Sequence, residues 1–163
     1  MNNLPRVFIL GDNIDTDNIA PGGSLHLPVE EQRKHCLESI VKDFYSVARE
    51  GDIIIAGENF GTGSSREQAP ILLKMIGISE VFARSFSRLF FRNAINVGLY
   101  LGKYSGECPF SNLEDVEIDM KALEIVNGTD RLKFEAPSDI LMEILRSGGM
   151  VNYARDMLDK GFK

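Results

Sequence analysis

The chain has 163 residues, 44% hydrophobic and 26% charged, with Lys+Arg 18 against Asp+Glu 24 for a net charge of -6. That is one domain's worth of chain, about 100–200 residues, long enough to build a core without covalent staples, so a single domain over 1–163 is expected. The acidic balance excludes a nucleic-acid binder that works by phosphate neutralisation, because such affinity comes from a basic surface. Cys36, Cys108, His26 and His35 are the only cysteines and histidines, and they are scattered. A structural zinc site or an iron–sulfur cluster takes roughly four ligands, so neither a metal site nor a cofactor is expected in this chain itself. A secreted scaffold built on disulfides is excluded by the same count. The N-terminus lacks the basic start and apolar run of a signal peptide, and no apolar stretch approaches the ~20 residues of a membrane span. A cytoplasmic protein with no membrane partner is expected.

In chain order, Arg6–Leu10 is short, apolar and closed by Gly11, which predicts a strand. Gly11–Ser24 is a polar loop of Asp, Asn, Gly and Pro, too long for a mere turn. Val29–Ala48 carries Cys36, Ile40, Val41, Phe44 and Val47 at helical spacing and predicts one long helix. Gly51-Asp52 punctuates the chain before Ile53–Ala56, a buried strand, and Gly57–Ser65, a second special loop. Ile71, Leu72, Met75 and Ile76 then line one face of a short helix. Val81–Ala83 predicts a strand, Arg88–Asn96 a helix and Leu99–Leu101 a strand. Val116–Met120 and Leu123–Val126 are short β candidates, and Asn127-Gly128 before Arg131–Ala136 signals a hairpin. Asn127-Gly128-Thr129 also matches a glycosylation acceptor, but the turn accounts for it. Ser138–Leu145 and Met150–Leu158 close the chain as helices around Gly148-Gly149. Parallel-type alternation followed by a hairpin predicts α/β layers, not a purely doubly wound sheet.

Three segments carry chemistry. The first is Gly57-Glu58-Asn59-Phe60-Gly61-Thr62-Gly63-Ser64-Ser65-Arg66-Glu67-Gln68-Ala69-Pro70, between a buried strand and a helix. At such a junction, unpaired N–H groups and the helix dipole favour an anion. Ser64 with Glu67, or Ser65 with Gln68, has capping-box spacing, although Pro70 suits a helix that starts nearer Glu67. A dinucleotide fingerprint fails because Arg66 stands where the third glycine belongs, and a P-loop fails for lack of Gly-Lys-Ser/Thr. What remains is either a plain glycine-rich helix cap or a site for a small carboxylate, with Arg66 as a bidentate clamp.

The second segment, Gly11–Gly23, carries Asp12, Asp15 and Asp17 close together, but the glycine and distal Glu of a calcium loop are missing and turn chemistry explains most of it. The third, Ala83–Gly98, interleaves Arg with aromatic and aliphatic residues, which helical core packing explains better than RNA stacking. His35 reads as a partly exposed residue of the long helix. Both cysteines read as small core residues, with no base near either in sequence.

Together, GDNIDTDNIAPG, GENFGTGSSREQAP and ARSFSRLFFRNAINVGL closely resemble the small subunits of 3-isopropylmalate dehydratase and homoaconitase, free-standing versions of the swivelling last domain of aconitase. The likeness runs over essentially the whole chain. It implies a layered β/β/α aconitase-like swivelling domain and a large-subunit partner carrying a four-iron four-sulfur cluster. It also implies that Ser64 is the base, that Ser65 and Arg66 bind a substrate carboxylate, and that Asp17, with Thr16 beside it in Asp-Thr-Asp, supports the site. A serine alkoxide makes sense only with oriented N–H dipoles and a nearby cation.

The short loop that reads the substrate's variable group in this family is here Ser24-Leu25-His26-Leu27, so His26 stands at the discriminating position. The neighbouring leucines lean toward an alkyl group, and therefore toward 3-isopropylmalate in leucine biosynthesis. A homoaconitase, or a dehydratase of citramalate or 2,3-dimethylmalate, is the alternative within the family. In a different class stands a non-catalytic carboxylate-binding module, which binding of a dicarboxylate without a large partner would favour. RNA binding through the Arg-rich helix is a third reading, which failure to retain RNA would dispose of.

Overall fold

Four short apolar runs, Val7–Ile9 (β1), Ile53–Ala56 (β2), Glu80–Ala83 (β3) and Tyr100–Tyr104 (β4), pair in parallel in the order β1-β2-β3-β4 of a computed structural model that describes residues 4–159 and Gly161. Parallel strands need crossovers. Thr16–Ile19 (α1), Val29–Gln32 (α2) and Phe44–Val47 (α3) lie in the first, Gln68–Ile76 (α4) in the second and Arg88–Asn96 (α5) in the third. Glu117–Asp119 (β5), Glu124–Asn127 (β6) and Asp130–Glu135 (β7) then form an antiparallel meander joined to β4 through β7, and Asp139–Arg146 (α6) and Met150–Asp159 (α7) follow. The expected hairpin is present, with Asn127 paired to Asp130.

Strand alternation sorts the core into two layers. Phe8, Ile54, Val81 and Leu101 face Leu72 and Leu73 of α4 and Phe90 and Ala94 of α5. Val7, Ile53, Ile55 and Phe82 face the other way, against Ile125, Leu132 and Phe134 of the meander. The segment that leads into β5 lies along the outer edge of β1, where Val7 N donates to Glu114 O and Val116 N to Pro5 O. The result is a helix layer, a parallel sheet and an antiparallel layer, the β/β/α arrangement expected of the chain. Below β1 and β2, Arg6 Nη2 meets Asp52 Oδ2 at 2.6 Å, with both side chains largely buried. No helix among the described residues is long and apolar enough to cross a membrane.

One expectation is overturned. Val29–Ala48 is not one long helix: α2 passes into a 3-10 turn, Arg33–His35, and only Phe44–Val47 is helical again. Leu37 and Asp43 have φ of 54° each, a left-handed conformation that a continuous helix excludes. Leu37 N donates to Asn18 O at 3.0 Å, so a tertiary bond replaces an intrahelical one. Cys36 and Phe44 are buried while Ile40 is exposed, so the apolar spacing serves a segment that wraps the core. His35 is half-buried in the 3-10 turn, with Nδ1 3.0 Å from the Glu38 carboxylate.

Candidate functional site

All the parallel strands end on the same edge, where the loops that follow them can meet; crevices outside the carboxyl ends of such strands are where ligands bind in open α/β sheets. Loop 11–16 runs beside loop 57–62: Gly57 N donates to Gly11 O at 3.1 Å, Asn13 N to Glu58 O at 2.7 Å, Gly61 N to Ile14 O at 2.7 Å and Thr16 N to Thr62 O at 2.8 Å. The loop after β3 joins them, with Arg84 N bonded to Gly57 O and Phe60 N to Ser85 O. Gly61 sits at φ 75°, and a Cβ there would stand 2.1 Å from Phe90 Cγ, so only glycine lets this loop pass over α5.

The three aspartates of Gly11–Gly23 take separate partners. Asp12 Oδ1 accepts from Glu58 N at 2.7 Å. Asp15 caps α1, accepting from Asn18 N at 2.7 Å while Asn18 Oδ1 accepts from Asp15 N at 3.0 Å, a reciprocal capping box. Asp17 Oδ1 accepts from Gly22 N at 2.9 Å and from Arg66 Nη1 at 2.5 Å. Local turn chemistry therefore accounts for Asp15, while Asp12 and Asp17 also bond across to the loop that follows β2. Among the described residues, no group of three or more His, Cys, Asp or Glu is placed to hold a metal ion.

Ser64, Ser65 and Arg66 precede α4, which starts at Gln68. The capping boxes expected at Ser64–Glu67 and Ser65–Gln68 do not form: the N-cap is Glu67, with no side-chain cap bond. Pro70 falls in the first turn, where its missing N–H costs nothing. Both serines are exposed, and Ser64 is fixed through its backbone, its carbonyl accepting from the buried Thr16 hydroxyl at 2.8 Å. Arg66 is 17% exposed and donates through Nη1 to Asp17 and, at 2.6 Å, to Ala20 O. A Cβ on Gly22 would lie 3.3 Å from Arg66 Nη2, so the turn packs closely against the guanidinium. The guanidinium and the Gly22 N–H hold the Asp17 carboxyl below its ordinary value.

The structure thus brings Thr16, Asp17, Ser64 and Arg66 together across two loops. His26 lies farther along the chain, exposed on the turn after the 3-10 segment Gly22–Ser24. Leu25, on the same turn, packs against the core. The Ala20 carbonyl was invisible in the sequence, since a main-chain acceptor has no residue signature. Cys36 is buried and Cys108 half-buried, and burial raises both thiols, so neither is an activated nucleophile. A cavity of about 440 Å³ beside α5 and α6, lined in part by Phe86, Arg92 and Leu141, includes none of the site residues.

The model of the aconitase C-terminal domain family matches residues 13–101. The chain is 44% identical over 154 residues to 3-isopropylmalate dehydratase small subunit 1 of Thermotoga maritima, covering 92% of this chain and 93% of that one. It is 43% identical over 152 residues to the methanogen homoaconitase small subunit of Methanocaldococcus jannaschii, covering 92% and 89%. A crystal structure of 3-isopropylmalate dehydratase from Methanocaldococcus jannaschii aligns with a TM-score of 0.87 at 44% identity, over 93% of this chain and 92% of that one.

Proposed function

Because the chain belongs to the small subunits of 3-isopropylmalate dehydratase and homoaconitase, built on the aconitase swivelling domain, we propose that it pairs with a large iron–sulfur subunit to interconvert 2- and 3-isopropylmalate in leucine biosynthesis. The observation that carries this reading is the pairing of Arg66 with Asp17 beside an exposed Ser64, whose backbone is pinned by Thr16. Ser64, Ser65, Asp17 and His26 are exposed, as suits a half-site that a second surface completes. With one buried and one half-buried cysteine, this chain offers no thiolate set for a cluster, which fits a cluster held by the partner. That cluster supplies Lewis-acid polarisation of the substrate hydroxyl and carboxylate.

This chain's residues supply the proton transfer and the clamp. Ser64 Oγ, as the alkoxide, takes the proton from the carbon next to a carboxylate as the hydroxyl leaves the neighbouring carbon. In rehydration it returns the proton to the carbon that lost the hydroxyl, while hydroxide adds to the carbon that lost the proton. Arg66 receives a substrate carboxylate on its planar fork, with Asp17 holding the guanidinium in place until then and Ser65 framing the bound group. Closure against the partner removes water and strengthens the field that a serine alkoxide needs.

A second reading, a substrate whose variable arm ends in a carboxylate, draws on one observation. His26 is exposed while Leu25 is engaged with the core, which leaves an imidazole, not a leucine, facing outward. The test is anaerobic reconstitution with the large subunit and turnover of isopropylmalate against homocitrate-type and methyl-bearing malates. Ser64→Ala is expected to assemble normally and lose ~10²–10⁴-fold or more in turnover. Near-normal activity in that variant removes Ser64 from the mechanism.

A further inference from the structure

We propose that Gln32 is a positioning residue that holds the Leu25–Leu27 turn, and His26 with it, at the mouth of the site, and so sets how strictly the substrate's variable arm is read. This rests on the site reading proposed above. The turn's own bonds are few: Ser24 N and Oγ to Pro21 O at 2.9 and 2.8 Å, Leu25 N to Gly22 O at 3.3 Å and Leu27 N to Ser24 O at 2.9 Å. Its entry end is tied to the anion site, because Gly22 N donates to the Asp17 oxygen that also binds Arg66. At the exit end, Gln32 Nε2 donates to Leu27 O at 2.8 Å and reaches Leu25 O at 3.5 Å. One carboxamide therefore holds the carbonyls on both sides of His26.

The placement of Gln32 is costly unless those donors matter. It is 6% exposed, on a helix whose other residues, Val29, Glu30 and Glu31, face solvent. Its Oε1 is buried with no hydrogen-bond partner among the described residues. A buried acceptor left unpaired is a penalty that an apolar side chain of similar size avoids. The amide N–H groups do what an apolar side chain cannot, fixing two main-chain carbonyls and the peptide planes around an exposed imidazole. A loop of single turns gains precision from such support, and substrate discrimination is sensitive to small displacements of the reading group.

The test compares wild type with Gln32→Met, which keeps length and loses both donors, and Gln32→Glu, which keeps shape and sets a carboxylate against two carbonyls. Amide exchange in the full chain is expected to quicken at Leu25 and Leu27 by about tenfold, the value of roughly one hydrogen bond. In the complex with the large subunit, the kcat/KM ratio between alkyl-armed and carboxylate-armed malates is expected to narrow by a similar factor, about tenfold, through KM more than kcat. Unchanged exchange overturns the clamp. Faster exchange with an unchanged substrate ratio, in a complex that is active, makes Gln32 a structural residue and overturns the specificity role. A wild-type complex that turns over neither class of malate overturns the site reading and the specificity role together, while the exchange data still judge the clamp.

Discussion

Arg66 Nη1 and Asp17 Oδ1 lie 2.5 Å apart although the residues are 49 positions apart in the chain, and this ion pair adds to the main-chain bonds that join the loops that follow β1 and β2. The Arg66 hydrogen bond is the first cause, and the Gly22 N–H the second, of a carboxyl held below its ordinary value of 3.8. A lowered carboxyl contributes stability that is fully present above the unfolded value and is lost as pH falls through the native one. The Asp17 carboxyl, followed by NMR, is expected to titrate below 3.8 in wild type and to move back up in Arg66→Gln. An unmoved midpoint in that variant would assign the shift to Gly22 instead.

Gly61→Ala tests how the glycine-rich loop is seated. The new Cβ meets Phe90 at 2.1 Å from a backbone at φ 75°. Overpacking and left-handed strain together should cost about 3 kcal/mol or more. Urea unfolding measures this, and a loss below about 1 kcal/mol would show that the loop can shift away from α5 without penalty.

Asp52 is an anchor beneath the sheet. Its carboxylate accepts from Arg6 N, Nε and Nη2 and from Arg49 N, with its side chain 3% exposed. Asp52→Ala leaves a guanidinium and two main-chain donors without their acceptor, which should cost about 3–5 kcal/mol. Arg6→Met/Asp52→Ala, removing both charges, should cost less than the sum of the single variants. Strict additivity in urea unfolding would argue against the coupling.

Thiol titration checks the core around the segment between α2 and α3. Cys36 is fully buried, and desolvation pushes its thiol far above the usual range. In the native protein an exposed-thiol reagent is expected to modify Cys108 slowly and Cys36 only on unfolding. Fast modification of Cys36 would mean that this wrapping segment opens readily.

The parallel strands, α5 and the late hairpin were legible because their signals are local. Ile53–Ala56 is apolar at every position, Ser87 caps α5 in its own turn, and Gly128, at φ 55°, opens the two-residue turn that pairs Asn127 with Asp130. The candidate site was legible as two motifs, Asp-Thr-Asp and Gly-Ser-Ser-Arg, that turn and cap chemistry would also explain and that the family resemblance singled out. Segment 29–48 was misread because periodicity reports which residues are buried, not what backbone buries them. Leu37 N donates to Asn18 O, a partner that no local pattern encodes.

The same distinction holds at the site. The sequence by itself determined which residues could bind an anion or move a proton, because charge and hydroxyl chemistry belong to the side chain. Only the tertiary structure decided that Arg66 faces Asp17, that Thr16 pins Ser64, that Leu25 belongs to the core while His26 is exposed, and that Gln32 grips the turn between them. Each of those is a pairing across chain-distant or buried positions. Which partner a polar group finds depends on how the sheet and helices exclude water around it, and that is settled only when the layers close.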